Sequence, residues 1–203
     1  MSRRPADILI APIALHHAAG FHACLDAVAR EKRFLAQTEA LPLARIEGFV
    51  ADSVARDAVQ FVALDGDLVV GWADIFPAWA AAVAHCGQLG MGLLPNQRGR
   101  GIGGRLLRAC LAKAAVKGLT RIELEARADN AAAIALYRKC GFEHEALKRR
   151  AMRFDGRYFA AVQMSLLLAP GAPAAAIQAC SPRLRPAWPA GLAAAAAAPL
   201  ASS

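Results

Sequence analysis

The chain has 203 residues, 57% of them hydrophobic, with a formal net charge of +8 and a pI near 9.8. This length suits one domain plus extensions, and no apolar run is long enough to span a membrane. Lys and Arg are spread along the chain beside only two Tyr, which argues against a nucleic-acid stacking platform and leaves an anionic small molecule as sufficient partner for the charge.

Arg3 and Arg4 precede an apolar run, but Asp7 and Pro12 interrupt it, so Asp7 to Leu15 reads as a first strand rather than a leader. His16 to Arg33 has helical periodicity through Phe21, Leu25 and Val28. His16, His17 and His22 have no carboxylate or Cys at ligand spacing and read as surface or capping residues, so no metal is expected. Pro42 to Arg56 is a second helix with Ile46, Phe49 and Val50 on one face. Val59 to Leu64 and Leu68 to Ile75 are apolar strands joined by Asp65-Gly66-Asp67, a hairpin turn. Phe76 to Ala82 reads as a loop. His85 to Leu94 is the next strand, and its Gly87, Gly90 and Gly92 suggest a bulge or a close approach of backbone to ligand.

A glycine-rich stretch follows, with Arg98, Gly99, Arg100, Gly101, Gly103 and Gly104. Strand, glycine turn and helix in that order favour a phosphorylated ligand, since the first helical N–H groups lack internal partners and the helix dipole attracts anions. A Walker loop would need a Lys-Ser or Lys-Thr pair after the glycines, and none is present. Gly99, Gly101 and Gly104 do fit GxGxxG, but the loop lies mid-chain rather than opening a dinucleotide domain.

Gly101 to Lys117 is amphipathic, with Ile102, Leu106, Leu107, Cys110, Leu111 and Ala114 inward and Gly118 as its C-cap. Ile122 to Ala126 alternates like a strand. Asp129-Asn130 then caps a helix over Ala131 to Cys140, which Gly141 ends. Residues 142 to 168 read as two closing strands around Asp155-Gly156. From Ala169 the composition shifts to Ala and Pro, giving residues 169–203 as a tail expected to be disordered. The five cysteines are scattered without a CxxC pair and read as reduced cytoplasmic thiols.

Two motifs combine. Arg98, Gly101 and Gly103 meet [QR]xxGx[GA], and Asn130 to Phe142 meets N-x-x-A-x-x-x-Y-x-x-x-G-F through Asn130, Ala133, Tyr137, Gly141 and Phe142. Together they resemble the GNAT superfamily of N-acetyltransferases, over roughly residues 7 to 168 of a domain taken as residues 1–168. The resemblance implies an α+β fold: a mixed, mostly antiparallel central sheet flanked by helices, with a splayed central strand pair. It further implies acetyl-CoA as acyl donor, held by Met91, Leu93, Leu94, Arg98, Gly99, Arg100, Gly101, Ile102, Gly103, Gly104, Asn130, Ala133 and Tyr137. Tyr137 would be the general acid, or would instead cap the core above Phe142. Asn130 would bond the pantetheine arm, or only cap its helix.

Many members carry Glu near the position of Gln88, and glutamine cannot accept a proton. His85, Glu123 and Glu125 remain candidate bases, with His85 favoured for its intrinsic pKa. The expected acceptor is a small primary amine such as an amino acid, with Arg149, Arg150 and Arg153 suggesting one that bears a carboxylate. Alternatives are a protein N-terminus or lysine, or an acyl-CoA-sensing module without turnover. No nucleic acid or membrane partner is expected, and a homodimer is left open.

Overall fold

The computed structural model describes residues 8–169. Asp7 and the Ala/Pro-rich tail from residue 170 lie outside the described residues, so those two expectations are not addressed by it. The elements are β1 (Ile8–Pro12), α1 (Ala18–Ala29), α2 (Leu43–Ala55), β2 (Val59–Asp65), β3 (Leu68–Pro77), β4 (Cys86–Leu93), α3 (Ile102–Val116), β5 (Arg121–Arg127), α4 (Ala131–Lys139), β6 (Glu143–Phe154) and β7 (Arg157–Leu167). Their order is the one expected. Boundaries differ in places: β3 runs on through Phe76 to Pro77, into the expected loop, and Ala81–Val83 at the loop's end is a 3-10 turn. The first strand stops at Pro12, and a single 3-10 turn at Leu15–His17 starts the helical segment, which ends at Ala29. Lys32, with a φ of 47°, then turns the chain away. His17 plays the capping part foreseen for it, its Nδ1 accepting from the Ala14 N–H at 3.0 Å.

Seven strands form one sheet in the order β1-β2-β3-β4-β5-β7-β6, in which only β4 and β5 run parallel. Each face carries its own apolar cluster. On one, α3 lays Ile102, Leu106, Leu107, Cys110 and Leu111 against Ala73, Ile75, Leu89, Ile122 and Leu124. Each buried leucine there contributes about 1.5–3 kcal/mol. On the other, Phe21, Leu25 and Val28 of α1 and Ile46 and Val50 of α2 cover Val62, Leu64, Val69 and Trp72.

The parallel pair is short. Cys86, Gly87 and Gln88 pair with Arg121, Ile122 and Glu123, and the pairing stops there, although β4 continues to Leu93 and β5 to Arg127. Beyond Gln88 the strands diverge, as a splayed central pair should. The expected bulge in β4 is not present: its register with β3 runs unbroken from Gly87↔Pro77 to Leu93↔Gly71. The glycines of β4 answer to side chains on neighbouring elements instead. A Cβ on Gly87 would lie 2.6 Å from Ile75, on Gly90 2.8 Å from the Asp74 carboxylate, and on Gly92 2.3 Å from the Trp72 ring.

Candidate active site

The opening between β4 and β5 leads directly to the start of α3. Leu94 donates to the Val70 carbonyl at 3.0 Å, so the even-numbered amides of β4 point at β3. By strand alternation, the Met91 and Leu93 N–H groups point the other way, into the gap. Amides freed there can stabilise a developing oxyanion. The splay itself, rather than a bulge, frees them.

Gly101 is the N-cap of α3, in the left-handed region at φ 78°, and no side chain caps the helix. The Ile102, Gly103 and Gly104 amides are therefore open to an anion. Gly99 is also left-handed, at φ 75°, and a Cβ on either Gly99 or Gly101 would meet nothing within 4 Å. Space and positive φ at these two positions suit a diphosphate lying against the backbone. Gly103 and Gly104 have another reason to be small. A Cβ on Gly103 would stand 3.2 Å from Leu136 and 3.3 Å from Met91, and one on Gly104 would stand 3.6 Å from Leu136. These two glycines seat α3 on α4 beside the opening.

The arginines divide their work in a way the sequence does not reveal. Arg98 Nε and Nη2 donate to the Leu93 carbonyl at 3.1 and 2.9 Å, while Nη1 reaches Glu31 Oε2 at 2.9 Å and Nη2 bonds Glu31 Oε1. Its charge is thus spent on tying the end of β4 to the segment after α1. Arg100 bonds Gln97 Oε1, and Arg108 Nη1 lies beside the first turn of α3, 3.5 Å from where a Gly104 Cβ would stand. Arg108 was not foreseen; its place one helical turn after Gly104 was the available signal.

Asn130 caps α4, its Oδ1 accepting from the Ala133 N–H at 3.2 Å, which leaves its amide NH2 to donate to a ligand. Tyr137, 7% exposed, packs its ring on Phe142 at 5.8 Å. Burial, with Cys140 nearby, raises its pKa and keeps the phenol protonated. The ring contact with Phe142 is the one that the core-capping reading asks for.

His85 is not brought to this place. It is exposed and precedes β4 at the still-paired end, where its carbonyl accepts from Thr120 and Arg121. From there to Met91 is roughly 20 Å along an extended strand. Glu123 is bound to Arg121 at 2.5 Å and Glu125 to Lys148 at 2.5 Å. Cys86 and Cys140 are free and half-buried.

A group that sequence reasoning passed over lies on β3. Asp74 is opposite Gly90 on one side and Gln60 on the other, and residues directly opposite in antiparallel strands share a face. That face is the one covered by α1 and α2, where Phe21 packs on Trp72 at 5.7 Å and Phe49 on Phe76 at 5.4 Å. Desolvation pushes the Asp74 carboxyl up to about 7, partly offset by a hydrogen bond from the Gly90 backbone. An acidic residue within the apolar run VVGWADIF was the available signal.

The model of the acetyltransferase (GNAT) family matches residues 21–142. The chain belongs to this family. Among curated relatives, it is 47% identical over 68 residues to the N-alpha-acetyltransferase RimI of Mycobacterium tuberculosis, a match covering 32% of this chain and 40% of that one. The chain therefore spans about two fifths of that relative's length. Among solved structures, a GNAT-family acetyltransferase from Streptococcus pneumoniae superposes with a TM-score of 0.74 at 24% identity, over 80% of this chain and 99% of that one. A GNAT superfamily phosphinothricin acetyltransferase from Sinorhizobium meliloti, in complex with acetyl-CoA, gives 0.75 at 19% identity, over 81% and 90%. At such identities the likeness concerns the fold, and the family's fold is the one expected from the two motifs.

Proposed function

We propose that the protein transfers an acetyl group from acetyl-CoA to a primary amine of a small molecule such as an amino acid, by direct attack in a ternary complex. One observation carries this reading: the β4–β5 pair opens beyond Gln88 onto a helix N-terminus that no side chain caps. Gly99, Gly101 and the first amides of α3 would hold the diphosphate, with Arg100 beside them and Arg98 shaping the strand end. The Met91 and Leu93 amides would hold the thioester oxygen as negative charge grows on it. Ala133 and the Asn130 amide would flank the pantetheine arm. Tyr137 would protonate the leaving sulfur.

The acceptor side supports a carboxylate-bearing amine. Lys32, after α1, bonds Asp155 in the β6–β7 turn at 3.1 Å and joins the closing hairpin to the helical side. On that hairpin, Arg150 and Arg153 lie over the Tyr158 ring at 5.3 and 5.5 Å. A cytoplasmic setting belongs to the same reading and agrees with four free thiols among the described residues. A protein N-terminus is the second reading, favoured by the 47% identity to RimI over 68 residues.

Thiol release from acetyl-CoA across a panel of amino acids, amines and N-terminal peptides tests the proposal. Turnover with free amino acids supports it, and turnover with peptides alone favours the second reading. Coenzyme A that fails to bind, or binds without protecting the α3 N-terminus in hydrogen exchange, would sink both.

A further inference from the structure

We infer that Asp74 is the proton acceptor for the incoming amine, lodged beside the buried carboxamide of Gln60. The inference rests on the acetyl-transfer reading and deepens it. A primary ammonium must lose a proton before its nitrogen can attack, and a carboxylate can take that proton only if it stands on the face from which the amine arrives. Besides Asp74, Glu123 and Glu125 on β5 share the face covered by α1 and α2, since their buried neighbours Ile122, Leu124 and Ala126 line the α3 face; Glu143, opposite Ser165, and Glu145, bonded to Ser165 and Arg121, belong to the edge strand β6, three strands from β4. Glu123 is held by Arg121 and Glu125 by Lys148. Asp74 has no cation bound to it among the described residues.

Its position suits the task. The carboxylate lies over Gly90, its Oδ1 2.8 Å from where a Cβ would be, one residue before the Met91 amide that points into the gap. Gly90 is thus a glycine because this carboxylate occupies its face. On the other side, Gln60 is 0% exposed, and neither its Nε2 nor its Oε1 has a hydrogen-bond partner among the described residues. A buried carboxamide left without partners is costly, and an amine or its water placed between Gln60 and Asp74 would satisfy it.

The packed groups on that face are apolar: Phe21 and Leu25 of α1 and Ile46 and Val50 of α2 cluster with Trp72, and Phe49 of α2 packs on Phe76, so Trp72 and Phe76, the residues on either side of Asp74 along that face of β3, are both covered. From β4 the neighbours are Gly90 and the uncharged Gln88. Across the sheet, on α3, the Cys110 thiol feels the Asp74 charge and Lys113 opposes it. Burial raises the carboxyl to about 7, where it is ionised in a useful fraction yet basic enough to accept a proton.

The step balances. The ammonium gives one proton to Asp74, its nitrogen forms the bond to the thioester carbon, and the carbon–sulfur bond breaks. The second nitrogen proton replaces the one that Tyr137 gives to the leaving sulfur. Asp74 then releases its proton to solvent.

The test uses the full chain, acetyl-CoA and the best amine of the panel. Asp74→Asn should lower kcat by about 10²-fold, leave coenzyme A affinity within about twofold, and remove the acidic limb of the kcat/KM profile near pH 7. A role confined to packing would lower the melting temperature and keep that limb. Retention of the limb in Asp74→Asn, or its loss in Glu125→Gln instead, overturns the assignment while acetyl transfer itself stands. A second measurement needs no variant to fold and no turnover: carboxyl NMR of the wild-type protein should show one aspartate titrating near 7, and an Asp74 signal titrating near 4 overturns the proposal. Wild-type protein that binds coenzyme A yet acetylates no amine overturns the acetyl-transfer reading and this assignment with it.

Discussion

Gly92 and Trp72 face each other across β4 and β3 so closely that a Cβ on the glycine would stand 2.3 Å from the indole Cη2. Trp72 is itself buried against Phe21, so the ring cannot swing aside without opening the α1 face. Gly92→Ala should therefore destabilise the protein by about 1–3 kcal/mol, as overpacking of a filled core does. Gly48 is the control. It is exposed inside α2 with nothing near its missing Cβ, so Gly48→Ala should stabilise by about 0.5–1 kcal/mol. Thermal melts of the two variants check both signs. Equal shifts would show that the α1 face yields.

The start of α3 makes a different demand on its glycine. Gly101 has open space but a φ of 78°, so Gly101→Ala meets no clash and instead strains the backbone by roughly 1–2 kcal/mol. Relief of that strain would turn the first amides of α3 away from a bound diphosphate. The expected result is weaker coenzyme A binding by calorimetry, with a smaller change in melting temperature than Gly92→Ala. Unchanged affinity would remove Gly101 from the phosphate site.

What the sequence made legible was whatever a residue type dictates locally. Gly101 and Gly118, both with positive φ, and Asn130, a side-chain cap, mark helix ends by their own chemistry, and the element order followed from them. Relations across the sheet were not legible. Arg98 reads as a phosphate ligand until Glu31, far off in the chain, is seen on the same guanidinium. Asp74 reads as an ordinary strand residue until the register sets it between Gln60 and Gly90. The placement of His85 is a related case: it borders the right strand, but at the end where β4 and β5 remain paired. The bulge failed because glycines in a strand signal close approach without saying by what, and in β4 the approaching groups are side chains of β3, with Leu119 after α3 and Ile122 of β5 at Gly87.

Tyr137 offers a clean separation of packing from chemistry. Its ring stacks on Phe142, and a phenylalanine preserves that contact while deleting the hydroxyl. If the hydroxyl protonates the leaving sulfur, Tyr137→Phe should lower kcat by about 10²-fold or more with unchanged coenzyme A affinity and nearly unchanged melting temperature. Steady-state kinetics beside a binding titration decide it. Wild-type turnover in this variant would leave Tyr137 with its core role alone.

Asp74 also ties stability to pH, in a direction opposite to most carboxylates. Its folded-state pKa of about 7 lies above the ordinary 3.8, so between those values the folded protein binds more protons than the unfolded chain. Stability contributed at this site is then fully present below about pH 4 and is lost as pH rises through 7. Asp57 works the other way. Lys113 and Lys117 hold it down to about 2, so its contribution is present above the ordinary carboxylate range and lost as pH falls through 2. The two windows barely overlap, which lets one variant isolate one site. Asp74→Asn keeps the shape of the side chain but cannot ionise, so its stability relative to wild type should improve from pH 4 to pH 8. Denaturant unfolding of both proteins across that range checks the sign. Parallel curves would mean that Asp74 ionises as freely in the folded protein as in the unfolded chain, and its apolar surroundings would then not govern it.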